Sequence, residues 1–336
     1  MTFIKDLISD IGDEYATIAS NIDETERFID SGSYIFNALI SGSINGGFSG
    51  NKITAIAGES STGKTFFALA VVRSFLASNP DAVCLYFDTE SAITRSLLES
   101  RDIDTDRVVV LNVVTIEEFR KKALQCVDKY LKVEESKRQP MLFVLDSLGM
   151  LSTEKEITDA LADKNVRDMT KSQLVKGAFR MLTLKLGQAD VPLIVTNHTY
   201  DVIGAYYPTK EMGGGSGLKY AASTIIYLSK KKEKDGTEVI GNIIRAKTAK
   251  SRLSRENQEV EIRLYYDARG LDTYYGLLEL GELGGLWKKT AGRYEIDGKK
   301  IYGKEVLKDP EKYFTPEVME KLDVIAKENY SYGGNE

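Results

Sequence analysis

The sequence predicts an α/β fold, a twisted and mostly parallel sheet with helices on both faces, preceded by a short N-terminal helical segment and followed by a small α+β C-terminal module. Three observations carry this. From Lys52 onward, short β-rich apolar runs alternate with helical stretches; a G-x-x-x-x-G-K-[ST] loop stands between one such strand and one such helix; and the alternation weakens after about Gly270. The boundaries expected from this pattern are 1–29, 30–270 and 271–336. A chain of 336 residues has room for one sizeable core with appendages. With 42% hydrophobic and 28% charged residues, it falls outside the disordered and fibrous classes.

In order, Ile4, Leu7, Ile8, Ile11, Tyr15 and Ile18 recur at spacings of three and four, which predicts an amphipathic helix able to pack on its own core or on a neighbour. The runs KITAIA, AVCLYF, VVVLNV, MLFVLD, PLIVTN and STIIYL are nearly continuous in apolar residues, as expected of strands covered on both faces. Between them, IEEFRKKALQCVDKYL and VRDMTKSQLVKGAFRMLTLKL have helical periodicity. Trp287 to Leu322 reads as short strands followed by a helix. Cys84 lies in an apolar run and Cys126 in a helical one, so both read as small buried hydrophobes rather than a disulfide or metal pair. No apolar run approaches the ~20 residues of a membrane helix and the N-terminus lacks a secretory pattern, so no membrane partner is expected and the compartment is cytoplasmic. The formal charge is −5, but it is unevenly spread. Residues 1–30 hold eight acidic and two basic side chains, whereas Ser229 to Arg255 holds nine basic and three acidic ones. A run of this kind is ordinarily a solvated face.

Gly58-Glu59-Ser60-Ser61-Thr62-Gly63-Lys64-Thr65 follows a strand and precedes the helical FFALAVVRSFL, the context a phosphate-binding loop requires. Glycines let backbone N–H groups turn inward around phosphate oxygens, and the helix N-terminus adds a favourable field. Lys64 then neutralises β- and γ-phosphate charge, and the Thr65 hydroxyl is placed to ligate Mg²⁺. The strand MLFVLD ends in Asp146, followed by Ser147. An Asp in this position is often a helix cap, but behind a phosphate loop it reads as the second metal-side group. Hydrolysis also needs a group to orient water, and Asp88 and Glu90 both follow AVCLYF; spacing alone does not choose between them.

The ordered set GESSTGKT, LYFDTE, FVLDS, IVTNH and GGGSGLKYAAS resembles the core of the RecA-type recombinases, and NHTY, the glycine run and AKSR are similar especially to the UvsX recombinases of large tailed phages. The resemblance spans about Ile29 to Gly270 and continues more weakly through AGRYEIDGKKIYGKEVLKD. It implies a RecA-like P-loop NTPase core over 30–270, an N-terminal oligomerisation segment, and a DNA-dependent ATPase using ATP and Mg²⁺. By position, it makes Glu90 the activator of water and His198 the sensor of the γ-phosphate. The family usually has Gln there, although UvsX-like proteins carry His; apart from the resemblance, a lone histidine reads as a satisfied core group. Lys250 and Arg252 of AKSR correspond to a basic pair that reaches the ATP of a neighbouring subunit. The two DNA-contacting loops fall on Ser152–Asn165 and Thr199–Gly213, both long and irregular for a compact domain. Tyr200, Tyr206, Tyr207 and Lys210 suit stacking on bases and contact with phosphate, Gly213 and Gly214 suit a backbone cradle, and Lys219 follows as a further phosphate contact. Simple loop anchoring is the plainer account of the same residues. The family stacks adenine on an aromatic soon after the catalytic glutamate, yet Ser91 to Leu98 contains none.

The implied function is pairing and strand exchange by a helical homo-filament on single-stranded DNA acting on duplex DNA, with mediator and single-strand-binding proteins as candidate partners, in the host cytoplasm if phage-encoded. The alternatives are a hexameric helicase on the same core, disfavoured because about 50 residues precede the loop, and a non-catalytic mediator, disfavoured because Lys64, Thr65, Glu90 and Asp146 are all intact.

Overall fold

The computed structural model describes residues 2–12, 16, 18–21, 27–163, 169–201, 210–267 and 269–333. Helix α1 (Thr2–Ile11) opens the chain, and β1 (Phe28–Ile29) and β2 (Phe48–Ser49) flank the buried helix α2 (Tyr34–Ser41). There follow β3 (Ile53–Gly58), α3 (Lys64–Ser78), β4 (Val83–Asp88), α4 (Arg95–Glu99), β5 (Val108–Asn112), α5 (Ile116–Leu131) and β6 (Met141–Asp146). Next come α6 (Glu154–Leu161), α7 (Lys171–Gln188), β7 (Leu193–Asp201), β8 (Lys210–Met212), α8 (Ser216–Ala221) and the strands β9 (Thr224–Asp235), β10 (Glu238–Lys250) and β11 (Glu259–Tyr265). The C-terminal part holds α9 (Leu277–Leu283), β12 (Lys288–Thr290), β13 (Arg293–Ile296), β14 (Lys299–Tyr302), α10 (Gly303–Val306), α11 (Pro310–Tyr313) and α12 (Pro316–Tyr330).

The large sheet has the order β11-β10-β9-β3-β7-β6-β4-β5, with β8 paired to β7. From β9 to β5 the pairs are parallel, and β10 and β11 complete the sheet antiparallel. Because side chains alternate along a strand, Tyr86 and Val144 enter one apolar cluster with α2 and α3, while Phe87, Phe143 and Leu145 enter the other with α5 and α7. Trp287, Tyr294, Phe314 and Leu322 join the first cluster, so the C-terminal elements share apolar packing with the core. Cys84 is buried and Cys126 half-buried, both as free thiols, and burial pushes both thiols above their ordinary pKa. Among the described residues no helix is long and apolar enough to cross a membrane.

Three local expectations are corrected. The run at β5 is not covered on both faces: it is the edge strand, and Val109 is 51% exposed. The helix α1 stops at Ile11, where Gly12 turns the chain at φ 62°, and Phe3, Ile4, Leu7 and Ile11 are exposed; Tyr15 lies outside the described residues. The segment Ser152–Asn165 is not irregular over its described part. Thr153 Oγ1 accepts from Glu156 N at 3.0 Å and Glu156 Oε2 accepts from Thr153 N at 3.1 Å, a reciprocal cap that starts α6. Thr153→Ala is therefore expected to lower stability by about 1 kcal/mol, the usual cost of losing such a cap, measured by urea denaturation. The basic stretch after Ser229 forms the arms of the long β9–β10 hairpin, where Lys230, Lys231, Lys232 and Lys234 are exposed as a solvated face, with Lys231 paired to Glu261 at 2.7 Å and Arg245 to Glu259 at 3.4 Å.

Candidate functional site

Parallel pairing brings the C-terminal ends of β3, β4, β6 and β7 to one edge of the sheet, the place where open α/β sheets bind ligands. Gly58 is level with His198, and Asp88 with Asp146. The loop after β3 then turns directly into α3. A Cβ at Gly58 would stand 2.6 Å from Thr62 Oγ1 and 2.7 Å from Leu228 O, so the close approach of loop and strand demands glycine. Thr62 Oγ1 donates to Glu59 O at 2.9 Å and closes the loop. Lys64 is buried, and its Nζ donates to the carbonyls of Gly58 at 3.0 Å and Glu59 at 2.7 Å. Burial lowers the pKa of this ammonium, and the carboxylates of Asp146 and Glu90 act in the opposite direction. Thr65 is partly exposed in the first turn of α3.

The two carboxylates that spacing could not separate have different surroundings. Asp88 is buried, and its two oxygens accept from Glu90 N and Ile93 N, each at 3.0 Å, so it fixes the turn after β4. Glu90 instead extends toward the site. Its Oε1 accepts from Ser147 Oγ at 3.0 Å and lies 3.4 Å from His198 Nε2, which fixes it without burying it. Asp146 accepts from Tyr86 OH at 2.8 Å and from Thr196 Oγ1. Burial, and then the Asp146 carboxylate, push the Tyr86 phenol well above its ordinary pKa and keep it a donor. The Asp146–Ser147 peptide is cis, and Thr89 Oγ1 exchanges hydrogen bonds with Ser147 through N at 2.7 Å and O at 3.0 Å. Mg²⁺ retains several waters and needs only one or two protein oxygens. The Thr65 hydroxyl and the remaining lone pairs of Asp146 suit that demand.

Beyond His198, β7 continues into a hairpin with β8. Gly213 N donates to His198 O at 3.1 Å, and Asn197 Nδ2 donates to Gly213 O at 2.9 Å. Tyr200 is exposed and lies against Gly213, and Gly214 has φ +83°, a conformation suited to glycine. Lys210 forms an ion pair with Glu59 of the loop, and Lys219 one with Glu211 at 3.3 Å. Tyr206 and Tyr207 lie outside the described residues. Thus Thr199–Gly213 is, at its described ends, a strand pair rather than an irregular loop.

Lys250 and Arg252 are not brought to this site. Lys250 pairs with Ile225, which is level with Ala55, and Arg252 N donates to Ser223 O one step beyond the start of β9. At a rise of about 3.3 Å per residue, they stand roughly 10–17 Å from the Gly58 end of β3, at the opposite edge of the sheet. Lys250 Nζ caps α8 by donating to Lys219 O at 2.8 Å and Tyr220 O at 3.1 Å, while Arg252 is exposed. Burial, then the Arg252 charge, lowers the Lys250 pKa.

Tyr86, Thr89, Ser147, Thr196 and Asn197 support the site but were not assigned roles from the sequence. The available signal was a hydroxyl or amide standing in an otherwise apolar strand close to its loop end. The family model described as the RecA N-terminal domain matches residues 3–272. The recombination and repair protein of Enterobacteria phage T4 is 35% identical over 261 residues, covering 77% of this chain and 65% of that protein. Protein RecA of Corynebacterium urealyticum is 28% identical over 281 residues, 83% of this chain and 72% of the relative. Protein RecA of a Nocardioides species is 27% identical over 263 residues, 77% of this chain and 71% of the relative.

Proposed function

The chain belongs to the RecA family, and from that premise we propose that it is an ATP-dependent, Mg²⁺-requiring recombinase that forms a filament on single-stranded DNA and exchanges strands with a duplex. The observation that carries this reading is the convergence of Lys64, Thr65, Asp146 and Glu90 at one sheet edge, joined through Glu90 and His198 to the β7–β8 hairpin. In this reading Lys64 leaves the Gly58 and Glu59 carbonyls for the phosphate oxygens. Thr65 and Asp146 hold Mg²⁺, which supplies electrostatic stabilisation of phosphate charge. Glu90 aims a water in line with the γ-phosphate and accepts its proton. His198, in contact with Glu90 and bonded through its backbone to Gly213, relates the state of the phosphate to the position of the hairpin that carries Tyr200 and Lys210. Tyr200, Tyr206 and Tyr207 supply stacking surface, and Lys210, Lys219 and the Gly213–Gly214 backbone supply phosphate contacts.

The polarity of the sheet supports a site shared between subunits. A basic pair at the edge opposite the phosphate loop stands away from its own nucleotide and on the side a neighbour's would approach. The exposed apolar stripe of α1 is suited to covering that neighbour, consistent with residues 1–29 as an oligomerisation segment beside the 30–270 core and the 271–336 module. Arg252→Ala should lose DNA-stimulated hydrolysis by about 10²-fold or more, the scale for losing one group that stabilises transition-state charge, while isolated subunits still bind nucleotide. Lys250→Ala should show the same loss and additionally loosen α8. Monomers at high dilution hydrolysing ATP as fast as filaments would contradict the shared site. Electron microscopy with ATP and single-stranded DNA tests the assembly: helical filaments are expected, and closed rings would instead indicate a helicase.

A further inference from the structure

The segment Ser91 to Leu98 offers no aromatic ring to a base, but the first turn of α3 does. Phe66 directly follows Thr65 and is only half-buried, whereas Phe67 is fully buried in the core. The two rings meet edge to face, with centroids 5.5 Å apart at 87°. This leaves a face of Phe66 to the guanidinium of Arg101, which stands 4.8 Å from the ring centroid. That contact shows that a planar, electron-poor group can reach the ring.

Phe66, Ala70 and Arg73 follow one another at helical spacing and line a cavity of about 480 Å³, together with Arg101, Leu271 and Thr273. The volume falls in the range of about 300–1,000 Å³ common to small-molecule pockets. Ala70 keeps the space beside the ring open. A nucleotide whose phosphates lie in the loop must direct its ribose and base past the first turn of α3. On one side the loop is bounded by β7 and β9, and on the outer face of α3 the cavity begins at Phe66.

We propose that Phe66 is the side chain on which the nucleotide base stacks, and that Arg101 swings out and closes over the base's other face. The inference rests on the nucleotide reading of the phosphate loop. It also assigns the role of the missing aromatic to a residue on the loop's own helix rather than to one following the catalytic glutamate. Arg101 is exposed, and its guanidinium stacks on a base as readily as on a ring.

Calorimetric titration of the full chain with Mg-ATP and with inorganic Mg-tripolyphosphate, which has no base, separates the possibilities. Phe66→Ala should weaken ATP about 10-fold or more, the scale of losing one base–aromatic stack. Tripolyphosphate affinity should stay within about two-fold, because the phosphate contacts are untouched. Phe66→Tyr should restore ATP affinity, and Arg101→Ala should weaken ATP alone, by a smaller factor. Unchanged ATP affinity in Phe66→Ala would overturn the proposal, as would equal loss of both ligands, which would mark Phe66 as a support of the loop. If the unsubstituted protein bound neither ligand, the nucleotide reading itself would fall.

Discussion

Lys64→Ala should reduce ATP turnover by at least about 10²–10³-fold, the scale for removing a group directed at developing phosphate charge, and should end ATP-dependent filament formation. Lys64 is the one basic side chain in Gly58–Thr65, so no neighbour in the loop can replace its charge. Its Nζ lies within hydrogen-bond distance of two loop carbonyls, which holds it beside the backbone that cradles the phosphates. The fold should survive, because alanine suits the first turn of α3 and the burial of an ammonium is relieved rather than imposed. Phosphate release and a thermal melt measured on the same preparation check both halves. Near-normal DNA-stimulated hydrolysis in a well-folded variant would refute the assignment.

Glu90→Gln should keep ATP affinity and slow hydrolysis by about 10²-fold or more, the usual scale for losing a general base. The amide keeps the shape of the carboxylate and can still meet Ser147 Oγ and His198 Nε2, but it is a far poorer proton acceptor. With hydrolysis slowed, ATP stays bound and the DNA-bound filament should persist. Phosphate release and the lifetime of filaments after addition of competitor DNA report the two effects separately. Slow hydrolysis with short-lived filaments would break the link between ATP state and DNA grip. Asp88→Asn gives the contrast: because Asp88 accepts two backbone N–H bonds in the turn, its loss should disturb the turn after β4 rather than the proton transfer alone.

The six parallel-sheet strands and the phosphate loop were legible because continuous apolar runs and a glycine-lysine pattern each have one common structural meaning. The exposure of β5 was not legible. A strand's composition does not state which neighbour it pairs with, and VVVLN reads alike at a centre and at an edge. The start of α6 is legible in Thr153 and Glu156, whose spacing is that of a capping box, although the length of the segment between strands suggests an irregular loop. The choice between Asp88 and Glu90 depended on where the backbone turned after β4, which brought Asp88 inward to N–H groups and left Glu90 beside His198. Similarly, AKSR was recognisable as a basic pair, but only the antiparallel direction of β10 sets it at the edge away from its own loop.

Strand exchange driven by a nucleotide-bound assembly can be followed by mixing the protein with circular single-stranded DNA and a homologous linear duplex. Joint molecules and displaced strand should form with ATP and Mg²⁺, fail to form without either, and decline as salt rises because the contacts are largely to phosphates. Binding of single-stranded DNA with ATP turnover but no joint molecules under any of these conditions would contradict it.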